Sequence, residues 1–169
     1  MFTVEFHKSF CREWGWSKQK ILSMVPFEDK TLKDHHISFT DYFKQDIPEY
    51  SSLFMSIVRD ALEEFAYKSE YKFNDVTALW CQRYNNGDYF QPHDHGGIGY
   101  SCVFYAEYDQ KEHGSTTFFA PFQSADGHRK SYSPTVGEGE LLIFPANVMH
   151  MAPPNYSSKH RTIFSFNLI

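Results

Sequence analysis

Cysteine is scarce in this chain, and basic charge is not in excess. Its 169 residues include three cysteines, and 21 acidic against 16 basic side chains leave a net charge of −5. Cys11, Cys81 and Cys102 lie far apart and form no CxxC pair, which argues against a disulfide-stapled secreted domain. We therefore expect reduced thiols and a cytoplasmic, reducing compartment. The negative balance provides no electrostatic basis for binding nucleic acid, so we expect no such partner.

Long apolar runs are also missing. A membrane-spanning helix needs about 18 consecutive apolar residues, and no such stretch occurs, so we expect no membrane partner. The first residues lack the basic and then apolar pattern of a secretory signal. No internal repeat or low-complexity segment is visible. The length suits one domain with a substantial core, and we expect residues 1–169 to form it.

Aromatic residues are abundant, with 17 Phe and 11 Tyr, and they favour β-rich cores. Residues 1–75 are predicted to form a helical support region, with helices over 49–67 and 16–24. Residues 76–169 alternate β-branched and aromatic runs with turn sequences, which indicates a jelly-roll-like core. The polar segment 123–133 is predicted to be a mobile loop. The predicted strands lie near 76–84, 89–95, 99–108, 115–120, 139–145, 148–152 and 161–168.

Three histidines in strand-like sequence suggest a metal site. Alternate residues of a strand share a face, so His93 and His95 can converge on one point. His150, from another strand, would complete three imidazole ligands and leave coordination positions open for a substrate. Asp94 is an alternative ligand, because a bulge at the glycines that follow could turn it inward. The simpler interpretation is that these are unrelated surface and core histidines.

Arg161 begins the last predicted strand. Strand alternation places Arg161, Ile163, Ser165 and Asn167 on one face. An arginine that faces a barrel interior is costly unless it has a partner, and a planar guanidinium matches a carboxylate well. Ser165 could add a hydroxyl donor. The alternative is an exposed arginine in a surface salt bridge.

Together these motifs resemble the 2-oxoglutarate/Fe(II)-dependent dioxygenases, and within them the small oxygenases related to prolyl hydroxylases. The resemblance covers about residues 76–169 and rests on the order and spacing of its parts. The matching parts are Tyr84-Asn85-Asn86-Gly87, His93 with His95, Ser101-Cys102-Val103-Phe104-Tyr105, Gly139 to Pro145 with His150, and Arg161 with Ser165-Phe166-Asn167.

The resemblance implies a mainly β fold with supporting helices and a double-stranded β-helix core. It implies Fe(II) as cofactor, with 2-oxoglutarate and dioxygen as cosubstrates. The activity would be hydroxylation of an unknown small-molecule or protein substrate. His93, His95 and His150 look like the metal ligands, although the superfamily usually has Asp or Glu where this chain has His95.

The resemblance also implies roles around the cosubstrate. Arg161 looks like the residue that binds the distal carboxylate of 2-oxoglutarate. Tyr105 and Tyr84 resemble tyrosines that help to bind the cosubstrate, although both could be ordinary core residues. The superfamily often has a hydroxyl two residues after the arginine. Here that position is an isoleucine, so Ser165 or a tyrosine would supply the hydroxyl, and Asn167 would line the pocket.

Two other functions fit parts of the pattern. A cupin-like dioxygenase could use three histidines without 2-oxoglutarate, and it would need no interior arginine. An exposed, salt-bridged Arg161 would favour that alternative. A non-enzymatic jelly-roll module that binds a sugar or a protein is the other. Separation of His93 and His150 by more than about 8 Å would favour the binding module, because ligands of one metal share a small coordination sphere.

Overall fold

The computed structural model describes residues 4–34, 36–44 and 46–169. The described residues form two helices and ten strands, and all strand pairs are antiparallel. In chain order the elements are β1 (His7–Phe10), α1 (Trp14–Met24), β2 (Phe39–Thr40), α2 (Ser51–Ser69), β3 (Val76–Tyr84), β4 (Phe90–His93), β5 (Tyr100–Glu107), β6 (Thr117–Gln123), β7 (Arg129–Tyr132), β8 (Glu140–Pro145), β9 (His150–Ala152) and β10 (Arg161–Leu168).

The strands form two sheets. The large sheet has the order β1-β8-β5-β10-β3-β2, and the small sheet has the order β4-β9-β6-β7. Side chains alternate across the large sheet, so its four central strands, β8, β5, β10 and β3, supply residues to two cores. On β10, Phe164 and Phe166 pack beneath the helices, whereas Ile163 faces the interior between the sheets. This arrangement confirms the predicted mainly β fold with supporting helices.

Helix α2 is amphipathic, and its apolar stripe covers the outer face of the large sheet. Its buried residues recur at three- and four-residue spacing, as the sequence predicts. Helix α1 packs beside it, and its Trp14 indole N–H donates to the carbonyl of Ala106 at 3.1 Å. Within the described residues, no helix is long and apolar enough to cross a membrane.

The segment 1–75 contains more than helices. Strand β1 pairs with β8, and β2 pairs with β3, so this region also supplies both edges of the large sheet. These strands have four and two residues, too few for a clear sequence period.

The prediction of a loop over 123–133 was wrong at residues 129–132, where β7 pairs with β6. All four residues of β7 are exposed, so the strand shows no alternation of apolar and polar side chains.

Phe54 is central to the contact between helix and sheet, and its replacement by alanine is expected to lower the free energy of unfolding by about 3–5 kcal/mol. The side chain is fully buried, and its ring packs against Phe104, Phe164 and Phe166. Urea unfolding measures the change. Glu63→Ala, at an exposed position of the same helix, should change stability by less than about 0.5 kcal/mol. Equal effects of the two substitutions would contradict this packing.

Candidate active site

The small sheet brings His93 and His150 together. Strands β4 and β9 pair so that these two residues lie directly opposite each other, and their ring centroids are 4.3 Å apart. His95 lies just beyond β4, with its ring centroid 5.1 Å from each of the other two. One potential ligand atom of each ring lies within 4.8 Å of the others. The three predicted histidines therefore form one cluster, which is compact enough to coordinate a single metal ion.

Strand β4 ends at His93, two residues before the predicted end. The Asp94 carboxylate accepts the backbone N–H of Gly96 at 3.1 Å, and Gly96 has a φ of +99°, a conformation that suits glycine. Asp94 is exposed and is not one of the three clustered residues. The backbone of His95 is held by the turn after β8, because its N–H donates to the carbonyl of Ala146 at 2.9 Å.

All three rings use Nδ1 in a hydrogen bond to oxygen. His93 and His150 donate from Nδ1 to the carbonyls of Gln91 and Val148, at 2.9 and 2.8 Å. His95 donates from Nδ1 to a side-chain oxygen on β10 at 2.9 Å. A carbonyl or amide oxygen can only accept, so the proton sits on Nδ1 and Nε2 keeps its lone pair. This tautomer suits metal binding through Nε2.

Burial keeps these imidazoles neutral. Burial, with a smaller contribution from the nearby His93 ring, lowers the pKa of His150 to about 3. Burial also lowers the pKa values of His93 and His95. Neutral imidazole is the form that binds a metal. The donor set and its protonation state therefore fit a divalent transition metal such as Fe(II).

Arg161 is buried at the start of β10, with a relative exposure of only 2%. Its Nη1 donates to the carbonyl of Gly114 at 2.9 Å, and its guanidinium carbon lies 4.4 Å from the centroid of the Tyr84 ring. Its Nη2 is buried and has no hydrogen-bond partner among the described residues. None of the ion pairs found in the described part of the chain includes Arg161. Burial lowers the pKa of this arginine, so its position is costly without an anionic partner.

A narrow cavity lies beside the three histidines, and we call it the first cavity. Tyr84, Ser165 and all three histidines line it, and Arg161 packs against the Tyr84 ring from outside this lining. The Tyr84 hydroxyl donates to Gln82 Oε1 at 2.9 Å. Ser165 therefore lies in the same cavity as the three histidines.

Tyr105 lies behind the wall of the first cavity, in contact with Thr116. Its hydroxyl is 2.9 Å from the Thr116 hydroxyl and accepts the Thr116 backbone N–H at 3.2 Å. Thr116 itself lines the cavity. Burial raises the pKa of Tyr105, while these hydrogen bonds and the Arg161 charge lower it less strongly. The tyrosine therefore stays protonated and can act as a hydrogen-bond donor.

A second cavity, with a volume of about 230 Å³, also borders His93 and His95. Asn167 lies in the wall of this second cavity rather than in that of the first cavity. Aromatic rings and two carboxylates form much of the wall: Tyr42, Phe43, Trp80, Phe90, Asp34 and Asp94.

Among the residues of these walls and contacts, no role was assigned from the sequence to Trp80, Gln82, Ser101 or Thr116. Trp80 and Gln82 share a strand face with Tyr84, so the alternation of β3 was an available signal. Trp80 stacks against His95, with ring centroids 5.8 Å apart. No sequence pattern pointed to Ser101 or Thr116, because the contribution of each is a hydroxyl hydrogen bond to a residue of another segment.

Two facing antiparallel sheets with clustered imidazoles at one end define a metal-dependent enzyme of the double-stranded β-helix type. The chain belongs to the 2-oxoglutarate and Fe(II)-dependent oxygenases: the model of the family described as "Putative 2OG-Fe(II) oxygenase" matches residues 78–167. Fe(II) is the cofactor of this family, and 2-oxoglutarate and dioxygen are its cosubstrates. The enzyme is thus a 2-oxoglutarate-dependent dioxygenase, as predicted.

Solved structures share the fold across nearly the whole chain. A prolyl-4-hydroxylase from Pseudomonas putida has a TM-score of 0.64 at 13% identity, with coverage of 98% of this chain and 92% of that one. The viral collagen prolyl hydroxylase of Paramecium Bursaria Chlorella virus-1, a 2-oxoglutarate complex, has a TM-score of 0.65 at 12% identity, with 96% and 94% covered. AviO1 from Streptomyces viridochromogenes has a TM-score of 0.65 at 12% identity, with 98% and 89% covered. No sequence among the curated proteins matches this chain. The double-stranded β-helix is confirmed.

Proposed function

We propose that this enzyme hydroxylates its substrate at a metal held by His93, His95 and His150, with 2-oxoglutarate anchored by Arg161. The observation that carries this proposal is the buried guanidinium, which has no anionic partner among the described residues. A dicarboxylate with one end at the metal and the other at Arg161 would supply that partner. The burial of Arg161 and the close approach of His93 to His150 speak against the cupin-like and non-enzymatic alternatives.

The side chains have separate roles in this proposal. Bound Fe(II) supplies the redox chemistry that couples dioxygen and 2-oxoglutarate to oxidation of a substrate C–H bond, with release of succinate and carbon dioxide. The histidines present Nε2 to the metal. Arg161 would bind the distal carboxylate, and Ser165, in the wall of the first cavity, could donate a hydrogen bond near it. The Tyr84 hydroxyl would have to release Gln82 before it could donate to the cosubstrate, and Tyr105 would act through Thr116, which lines the cavity. The apolar interior around Phe144 and Phe118 keeps bulk water away from the site.

We propose the second cavity as the substrate-binding cavity, and its lining favours a small neutral or cationic group. Its volume of about 230 Å³ is below the range of about 300–1,000 Å³ that is typical of ligand pockets. Among the described residues that line it there are two aspartates and no lysine or arginine. Contact with a phosphate backbone requires basic side chains. We therefore propose a small molecule or a single protein side chain as the substrate, rather than nucleic acid.

Iron-loaded protein is expected to bind 2-oxoglutarate and, in the presence of oxygen, to convert it to succinate. Calorimetry under anaerobic conditions measures the binding, and product analysis measures succinate formation. Omission of Fe(II) should remove turnover, because the three histidines alone carry no redox function. Protein that contains Fe(II) at one equivalent but does not bind 2-oxoglutarate would refute the proposed function.

A further inference from the structure

His95 differs from the other two histidines in how its ring is held. The Nδ1 atoms of His93 and His150 donate to the carbonyl oxygen two residues earlier in their own chain segments. Those acceptors are carbonyl oxygens of the neighbouring backbone. The Nδ1 of His95 instead donates to the side-chain Oδ1 of Asn167, which lies on β10 of the other sheet. The orientation of His95 therefore depends on one distant side chain, and local backbone geometry does not supply a substitute.

The amide of Asn167 is itself oriented by Ser101. The Ser101 hydroxyl is buried and donates to the same Oδ1 at 3.0 Å. The amide oxygen has two lone pairs, so it accepts from Ser101 and from His95 at the same time. The Ser101 hydrogen bond therefore holds the amide in place at a second point, in addition to its contact with His95 Nδ1. The Trp80 ring lies against the imidazole at an interplanar angle of 23° and limits its rotation further.

We propose that Asn167, oriented by Ser101, is the positioning residue that makes His95 a metal ligand. This inference rests on the proposed metal site. An imidazole offers Nε2 to a metal only when its proton sits on Nδ1, and the hydrogen bond made by the other nitrogen sets this tautomer. Outer partners of this kind also hold the ring in position and increase the basicity of the ligand. Asn167 thus acts on the metal site through His95, without contact with the metal.

Replacement of Asn167 by leucine tests this role, because leucine has a similar size but no acceptor. Long-range ¹H–¹⁵N NMR of metal-free protein labelled at histidine reads the tautomer of each ring. We expect His95 to change from the Nδ1–H form to a mixture of both tautomers, while His93 and His150 keep theirs. The affinity for Co(II), used as an oxygen-stable probe, should fall by about 10–100-fold.

Asn167→Asp is the conservative variant, since a carboxylate can accept from both Ser101 and His95. It should keep the Nδ1–H tautomer of His95 and a Co(II) affinity close to that of the wild type. Ser101→Ala leaves the amide free to rotate and should produce an intermediate loss. Asn74→Leu makes the same chemical change at an exposed position and should alter neither the tautomers nor the affinity.

Two results would overturn the role of Asn167. One is an Asn167→Leu protein with the wild-type tautomer and the wild-type Co(II) affinity. The other is equally weak Co(II) binding by the leucine and aspartate variants with no change in tautomer, which would indicate a merely structural contact. The tautomers are read without metal or cosubstrate. A wild-type protein that has the expected tautomers but binds no 2-oxoglutarate would therefore refute the proposed function alone.

Discussion

Replacement of Arg161 by methionine is expected to weaken 2-oxoglutarate binding by about 30-fold or more, because truncation of one partner in a buried charge pair typically costs about 2–5 kcal/mol. Turnover should fall with it. The free energy of unfolding of the metal-free protein should fall much less than the free energy of 2-oxoglutarate binding. Arg161 is almost fully buried, and an unbranched apolar side chain removes the cost of burying a charge without an anionic partner. Calorimetry measures the binding, and thermal unfolding with and without 2-oxoglutarate measures the stability and its linkage to the ligand.

Arg83 offers a matched control for this experiment. It is also an arginine near one end of a strand, but its Nη2 lies 2.6 Å from Glu107 Oε2 in a partly buried ion pair. Arg83→Met should therefore lower stability and leave 2-oxoglutarate binding unchanged, the reverse of the pattern at Arg161. Arg161→Lys keeps the charge but loses the planar pair of donors, so its affinity should be intermediate. Wild-type affinity in Arg161→Met would exclude this arginine as the anchor.

Replacement of His95 by alanine is expected to reduce metal affinity by more than about 100-fold, since even the outer partners of metal ligands contribute about 10–100-fold. Asp94→Asn should leave the affinity close to that of the wild type. The asparagine keeps the oxygen that accepts the Gly96 N–H, but it removes the negative charge. Anaerobic Fe(II) titration, with Co(II) as a second probe, compares the two variants directly.

This pair of substitutions distinguishes the two candidates for the third ligand. If His95 is the ligand, only its loss removes the metal, and the protein uses three neutral ligands. The opposite pattern, with Asp94→Asn losing the metal and His95→Ala retaining it, would mean that the loop after β4 rearranges to bring the carboxylate inward. In that case the contact between His95 and Asn167 would have no part in metal binding.

Much of the fold could be predicted from local patterns. Helix α2 follows from apolar residues at three- and four-residue spacing, and β3, β5, β8 and β10 follow from apolar runs between turn sequences. Their burial on the large sheet is what makes their patterns clear. The short strand β1 and the exposed strand β7 lie at sheet edges. Few or none of their side chains enter a core, so their sequences carry little of the periodicity that burial imposes.

The sequence by itself determined the candidate residues of the site. Strand alternation places His93 with His95, and Arg161 with Ser165, on shared strand faces, and this needs only the period of two residues along a strand. The meeting of His150 with the pair, and an interior position for Arg161, were expected from the resemblance in the order and spacing of the motifs. The spacing of Trp80 and Gln82 before Tyr84 contained the same information about the cavity wall.

Only the tertiary structure decided how these residues are oriented. The pairing of β4 with β9 places His93 against His150, and the end of β4 leaves Asp94 exposed while His95 turns toward the large sheet. The contact from Ser101 through Asn167 to His95, and the lack of an anionic partner for Arg161 among the described residues, arise between strands that are distant in sequence. Hydrogen bonds depend on distances of about 3 Å. Local periodicity specifies the face on which a side chain lies, but the packing of the two sheets sets such distances.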